Sequence, residues 1–257
     1  MKIENEIIRI CAQACVNTYE GRHGEVRKCF DKATVHKLGK ITWHEGYRQG
    51  KLFIVFEGTH NKAGWEDNFD YQQVPTGIAP ARVKVHKGFW RDEFAFVSSD
   101  IYDAIKGFTG PVIFTGHSLG GALCILAAWF FAQLNRKGGL CGKIQVVSIA
   151  GPRVGNHWFS YHYRRLHIPT VLFRYKFDPV TQVPPRVVPG LVERGIKFLW
   201  FDFWPSILFY GRVKGLTHLG FRNPISFLLT LKRNAKEMKM LYHNPEDYRK
   251  AINKRYK

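Results

Sequence analysis

At 257 residues with a 45% hydrophobic content, the chain can bury a sizeable core, which excludes overall disorder and suits one large α/β domain over 1–257. Its 39 Lys and Arg against 20 Asp and Glu give a net charge of +19, which implies attraction to anionic phospholipid or nucleic acid, with a generally solvated basic surface as the plain alternative. Five cysteines, Cys11, Cys15, Cys29, Cys124 and Cys141, are odd in number and lack metal-ligand spacing, and no charged-then-apolar leader opens the chain. The expectation is therefore a reduced, cytoplasmic protein without metal or cofactor, with membrane association or export without a cleaved leader left open.

Residues 3–19 carry Ile3, Ile7, Ile10/Cys11 and Ala14/Cys15 at helical spacing and predict an amphipathic first helix. Edge strands are expected within the polar stretch 20–46. Leu52 to Phe56 is a near-continuous apolar run, the pattern of a strand buried on both faces. It ends in Glu57-Gly58-Thr59, and the hydroxyl and backbone N–H of Thr59 at a strand's C-terminal end make it a candidate oxyanion donor. Residues 64–80 read as a short amphipathic element with flexible ends, either a lid or a surface loop. Val83 to Gly88 predicts another strand, and Trp90, Phe94, Val97, Ile101 and Ile105 a long helix stopping near Gly107.

The next stretch organises the chain. Val112 to Thr115 is a β-branched and aromatic strand, Gly116-His117-Ser118-Leu119-Gly120 matches G-x-S-x-G, and Ala122 to Leu134 is apolar and helix-like. A serine hydroxyl is a weak nucleophile until a base takes its proton and the backbone holds its oxygen clear. A sharp strand-to-helix turn does the second job, and its close backbone approach is tolerated best by residues without a Cβ, here Gly116 and Gly120 flanking the serine. The helix start then aims free N–H groups at a developing oxyanion. Strands at 143–150 and 170–175 follow, and their alternation with helices predicts a mostly parallel sheet covered on both faces.

Ile196 to Tyr210 holds seven aromatics and is too short for the roughly 18–20 apolar residues of a spanning helix. It reads either as an interfacial segment or as an insertion, about 191–214, folded over the core. Leu228, Leu231, Met238 and Leu241 give helical spacing near the basic C-terminus.

An activated serine needs a histidine base and an orienting carboxylate, in the chain order serine, acid, histidine for this fold. Asp178, at a strand end before Pro179, is preferred over Asp202 in the aromatic run and over Asp247. For the base, His218 and His243 compete, and spacing alone leaves both open.

Six segments occur in an order that resembles the class 3 lipase family, the fungal-lipase-like α/β-hydrolases. Phe56 to Thr59 resembles F-R-G-T, Gly64-Trp65 with Asn68 resembles the lid-region W-x-x-D, and Val85 to Phe89 resembles V-H-x-G-F. Gly116 to Ala122 is the nucleophile elbow in full, Gly151 to Asn156 resembles G-x-P-R-V-G-N/D, and Asp178-Pro-Val with Val183-Pro-Pro185 resembles the acid loop. His243 to Tyr248 matches the family's terminal H-x-x-x-x-Y. The resemblance implies an α/β-hydrolase fold and a Ser118–Asp178–His243 triad. It also implies oxyanion donors at Thr59 and at the Leu119 N–H, with His218 as a non-catalytic histidine. Glu57 and Asn68 depart from the family's arginine and aspartate. The expected activity is hydrolysis of carboxylic esters of lipids, by a lipase or a phospholipase A. The expected partners are a lipid substrate and an anionic membrane surface, not nucleic acid. A non-catalytic module binding anionic lipid or nucleic acid is the alternative.

Overall fold

The computed structural model describes residues 3–19, 23–59, 72–90, 92–136, 142–176, 178–184, 187–188, 208–219 and 243–257. Residues 64–71 of the lid reading at 64–80, most of the aromatic run and the helical spacing at 228–241 lie outside them.

Strand β3 (Lys51–Phe56) shows why the sheet lies inside the molecule. Leu52, Ile54 and Phe56 pack into one apolar cluster and Phe53 and Val55 into another, the two-residue alternation of a strand covered on both faces. On its two sides lie β2 (Ile41–Arg48), antiparallel, and β6 (Val112–His117), parallel. With β1 (Lys32–Leu38), β7 (Ile144–Ile149), β9 (Thr170–Tyr175) and β12 (Leu216–Leu219) they form a seven-stranded sheet of order β1-β2-β3-β6-β7-β9-β12. All pairings from β3 to β12 are parallel.

Helix α1 (Asn5–Asn17) packs Ile7, Ile8, Cys11 and Cys15 into one face cluster. After α2 (His23–Val26), helices α3 (Asp92–Ile105) and α4 (Leu119–Arg136) cover the opposite face with α5 (His157–Arg164). Ala122 to Phe131 of α4 includes the fully buried Leu126, Trp129 and Phe131, so this helix is apolar on nearly every side. The last helix, α6 (Pro245–Arg255), returns to the α1 side with Tyr248 and Ile252 inward. No helix among the described residues is long and apolar enough to cross a membrane.

Two expectations change in detail. The predicted helix 122–134 begins at Leu119, because the turn at Ser118 passes directly into it. The strand expected at 83–88 is the three-residue β5 (Lys84–His86), outside the central sheet. It belongs to a small antiparallel sheet with β4 (Gln73–Pro75), β8 (Gly155–Asn156), β10 (Val187–Val188) and β11 (Leu208–Gly211). Thus β11 contains the last three residues of the aromatic run.

Candidate active site

Thr59, Ser118 and Asp178, three of the candidate side chains, follow the C-terminal ends of β3, β6 and β9. Ser118 leaves β6 with φ at 58°, in the left-handed region that a non-glycine residue adopts at a cost of about 1–3 kcal/mol. Its N–H donates to the Ile149 carbonyl at 3.0 Å, and its carbonyl accepts from Ala122 at 3.3 Å, which joins the turn to α4. A Cβ at Gly116 would collide with Gly120, and one at Gly120 with the Phe56 carbonyl, so the turn closes only with glycine on both sides.

That collision also shows how tightly the start of α4 sits against the exit of β3. Glu57 there is buried, and His44 Nε2 of β2 lies 2.6 Å from its Oε1. Glu57, which departs from the family pattern, is therefore paired in the interior. Thr59 follows two positions later and is half-buried. Leu119 opens α4, where the first N–H groups have no partner within the helix.

Asp178 is fully buried beyond β9. Its Oδ1 accepts from the Val180 N–H at 2.9 Å and its carbonyl from Thr181 Oγ1 at 2.9 Å, which fixes the carboxyl group on its own turn. Arg153 donates to the carbonyls of Gln182 and Pro184 and clamps that loop. His243 Nδ1 lies 2.8 Å from Asp178 Oδ2, with both side chains almost completely buried. The local sequence explains the position of His243. Asn244 caps α6 by accepting from the Glu246 N–H at 2.9 Å, and Pro245 starts the helix with its φ already fixed. His243 therefore stands immediately before a sharp helix start. His218, the competing histidine, lies within β12 opposite Arg174 in the β9 register.

Three residues around these were assigned no site role from sequence. Tyr248, one turn into α6, donates to Asp178 Oδ2 at 2.6 Å and accepts from the Tyr175 N–H at 2.8 Å. Burial, then the adjacent Asp178 charge, raises its phenol well above the ordinary range. His117 lies with its ring centroid 4.7 Å from that of His243, and burial, then His243, lowers its pKa well below the usual histidine value. Tyr19, beyond the end of α1, has its hydroxyl 2.8 Å from His117 Nδ1. His117 and Tyr248 lay inside quoted motifs, so their positions carried a signal. Tyr19 carried none.

The structure shows a buried carboxylate–imidazole pair and a serine on a strained turn, the groups that activation of a hydroxyl requires. Residues 53–188, more than half of the chain, match the family described as Lipase (class 3). A lipase from Rhizopus oryzae is 34% identical over 161 residues, covering 58% of this chain and 38% of the relative. Phospholipase A1-Ialpha2, chloroplastic, from Arabidopsis thaliana is 29% identical over 176 residues, covering 55% and 36%. The chain thus spans well under half the length of these curated relatives. Among solved structures, lipase II from Rhizopus niveus aligns with a TM-score of 0.59 at 25% identity, over 72% of this chain and 78% of that one. The fold is that of the α/β-hydrolases, and with the family match spanning β3, the elbow and the acid loop, the chain belongs to the class 3 lipase family.

Proposed function

We propose that this protein is a serine hydrolase that cleaves carboxylic esters of lipids. The observation that carries this reading is the buried contact between His243 Nδ1 and Asp178 Oδ2 at the sheet edge from which Ser118 projects. Ser118 Oγ attacks the acyl carbon while His243 Nε2 takes its proton. Asp178 holds the imidazole by its Nδ1–H and stabilises the imidazolium. Thr59 and the Leu119 N–H donate to the tetrahedral oxyanion, each worth about 3 kcal/mol. Collapse of that intermediate expels the alcohol, which receives the proton from His243. Water, activated by the same histidine, then releases the fatty acid.

The relatives bear names of both lipases and a phospholipase. The net charge of +19 favours a phospholipid surface, because anionic headgroups concentrate a basic protein there. Hydrolysis of p-nitrophenyl butyrate by Ser118→Ala is expected to fall to background with the fold intact; unchanged turnover would rule the assignment out. His243→Ala should abolish turnover and His218→Ala should spare it. Co-sedimentation should be stronger with vesicles containing anionic lipid than with neutral ones, and equal binding would remove the electrostatic part.

A further inference from the structure

Tyr19 lies 98 positions before His117 in the chain, yet its hydroxyl is 2.8 Å from His117 Nδ1 and the two rings meet edge-on with centroids 5.5 Å apart. The same hydroxyl fills the space over Gly58, where an added Cβ would collide with it and come within 2.9 Å of the His117 carbonyl. His117 in turn packs its ring against His243, centroids 4.7 Å apart, and stands edge-on to Tyr248 at 5.7 Å. One phenol therefore borders the backbone one residue before Thr59 and the side chain one residue before Ser118. The latter side chain bears on the ring of His243.

Helix α1 precedes the segment matched to the family and directs Tyr19 through a tight C-terminal closure. Thr18 Oγ1 donates to the Cys15 carbonyl at 2.8 Å, and the Tyr19 N–H donates to Val16 at 3.2 Å. Arg249 of α6 donates to Gln13 of α1 at 3.2 Å, so the helices that supply Tyr19 and Tyr248 are joined.

A hydrogen bond at Nδ1 fixes one edge of an imidazole but leaves the ring free to turn about that edge; what packs on its face fixes the plane. We propose that Tyr19 is a positioning residue for His243: its hydroxyl holds the His117 ring, and that ring sets the plane of the His243 imidazole beside Ser118. This rests on reading Ser118, His243 and Asp178 as a triad. Burial keeps His117 neutral, so it lies against the imidazolium formed during turnover without repelling it.

Tyr19→Phe keeps the ring and removes the hydroxyl. With p-nitrophenyl butyrate, kcat should fall roughly 10- to 100-fold while KM stays unchanged. In a His117→Phe background the same change should have no further effect, because its route through His117 is gone. A purely structural role would instead lower Tm and act equally in both backgrounds, which would overturn the proposal. Histidine-selective 15N NMR of the resting protein gives a readout independent of turnover. The His243 ring nitrogens should shift in Tyr19→Phe, and unchanged resonances would also overturn it. If the wild-type protein hydrolyses no ester, the triad reading fails, and the NMR comparison still decides whether Tyr19 sets the His243 ring.

Discussion

Tyr248 donates its phenolic hydrogen to Asp178 Oδ2 at 2.6 Å, the same oxygen that His243 Nδ1 approaches to 2.8 Å. The two groups approach one carboxylate oxygen from different elements, so losing either changes the field felt by the other. Tyr248→Phe removes a hydrogen bond to an acidic group and also the acceptor of the Tyr175 N–H. Chemical denaturation should show a loss of about 1.5–3 kcal/mol. Turnover of a soluble ester should fall by roughly tenfold, equivalent to about 1.4 kcal/mol of transition-state stabilisation. Wild-type stability in this variant would show that the contact contributes nothing net.

Stability should form a plateau bounded on both sides by buried groups. The folded-state pKa of His117 is lowered well below 6.5. As pH falls below 6.5 the unfolded chain binds a proton that the folded chain refuses, and stability declines by up to about 1.4 kcal/mol per pH unit. On the alkaline side burial raises the thiols from their ordinary value of 9.0, with Cys15 reaching about 12 and Cys11 and Cys124 also well above. Above pH 9 the unfolded chain releases protons that the folded chain retains, so stability falls as pH rises. Denaturation midpoints measured from pH 5 to 11 should trace this dome, and His117→Asn should flatten its acid side. A profile level down to pH 5 would contradict the burial of His117.

His44 and Glu57 form a buried pair, Nε2 to Oε1 2.6 Å, directly before the residue that precedes Thr59. His44→Ala removes the imidazole from the buried Glu57 carboxyl. The expected cost is about 3 kcal/mol. The second expectation is a fall in kcat, since Glu57 leads into Thr59, the proposed oxyanion donor. Thermal unfolding beside ester kinetics checks both, and a variant with unchanged Tm would show the pair to be dispensable.

The parts of this fold legible in the sequence are those where one physical demand dominates. Leu52 to Phe56 and Val112 to Thr115 are buried on both faces, so they read as apolar runs, and the elbow between Gly116 and Gly120 is fixed by backbone collision. Of the small antiparallel sheet only β5 was legible, as the strand expected at 83–88. Its other strands, such as Gly155–Asn156 and Gln73–Pro75, are two to four residues long and have no room for a period. Spacing alone left His218 and His243 open, and the family's terminal motif favoured His243. The Asn244 and Pro245 helix start behind His243 was visible as residues, but its effect on the histidine depends on Asp178, 65 positions earlier. Tyr19 was beyond reach altogether: its partner His117 is contacted only because α1 packs on β6.

Gly120→Ala tests the contact between the elbow and the exit of β3. The added Cβ meets the carbonyls of Phe56 and Glu57, which are backbone atoms and cannot rotate away. Overpacking of this kind costs about 1–3 kcal/mol. In a chain of this size each kcal/mol corresponds to a Tm drop of about 2–4 °C. Ester turnover should fall more than stability does, because the strain is delivered between Leu119 and Thr59. Retention of full turnover would show that the contact between the elbow and β3 is dispensable for catalysis.

On the proposed reading, Ser118 is a nucleophile activated through His243 and Asp178. Covalent labelling with a fluorophosphonate, located by peptide mass spectrometry, tests it most directly. One label per chain is expected, on Ser118, abolished in Ser118→Ala and slowed severely in folded His243→Ala. An unlabelled wild-type protein, or a label that persists in Ser118→Ala, would contradict it.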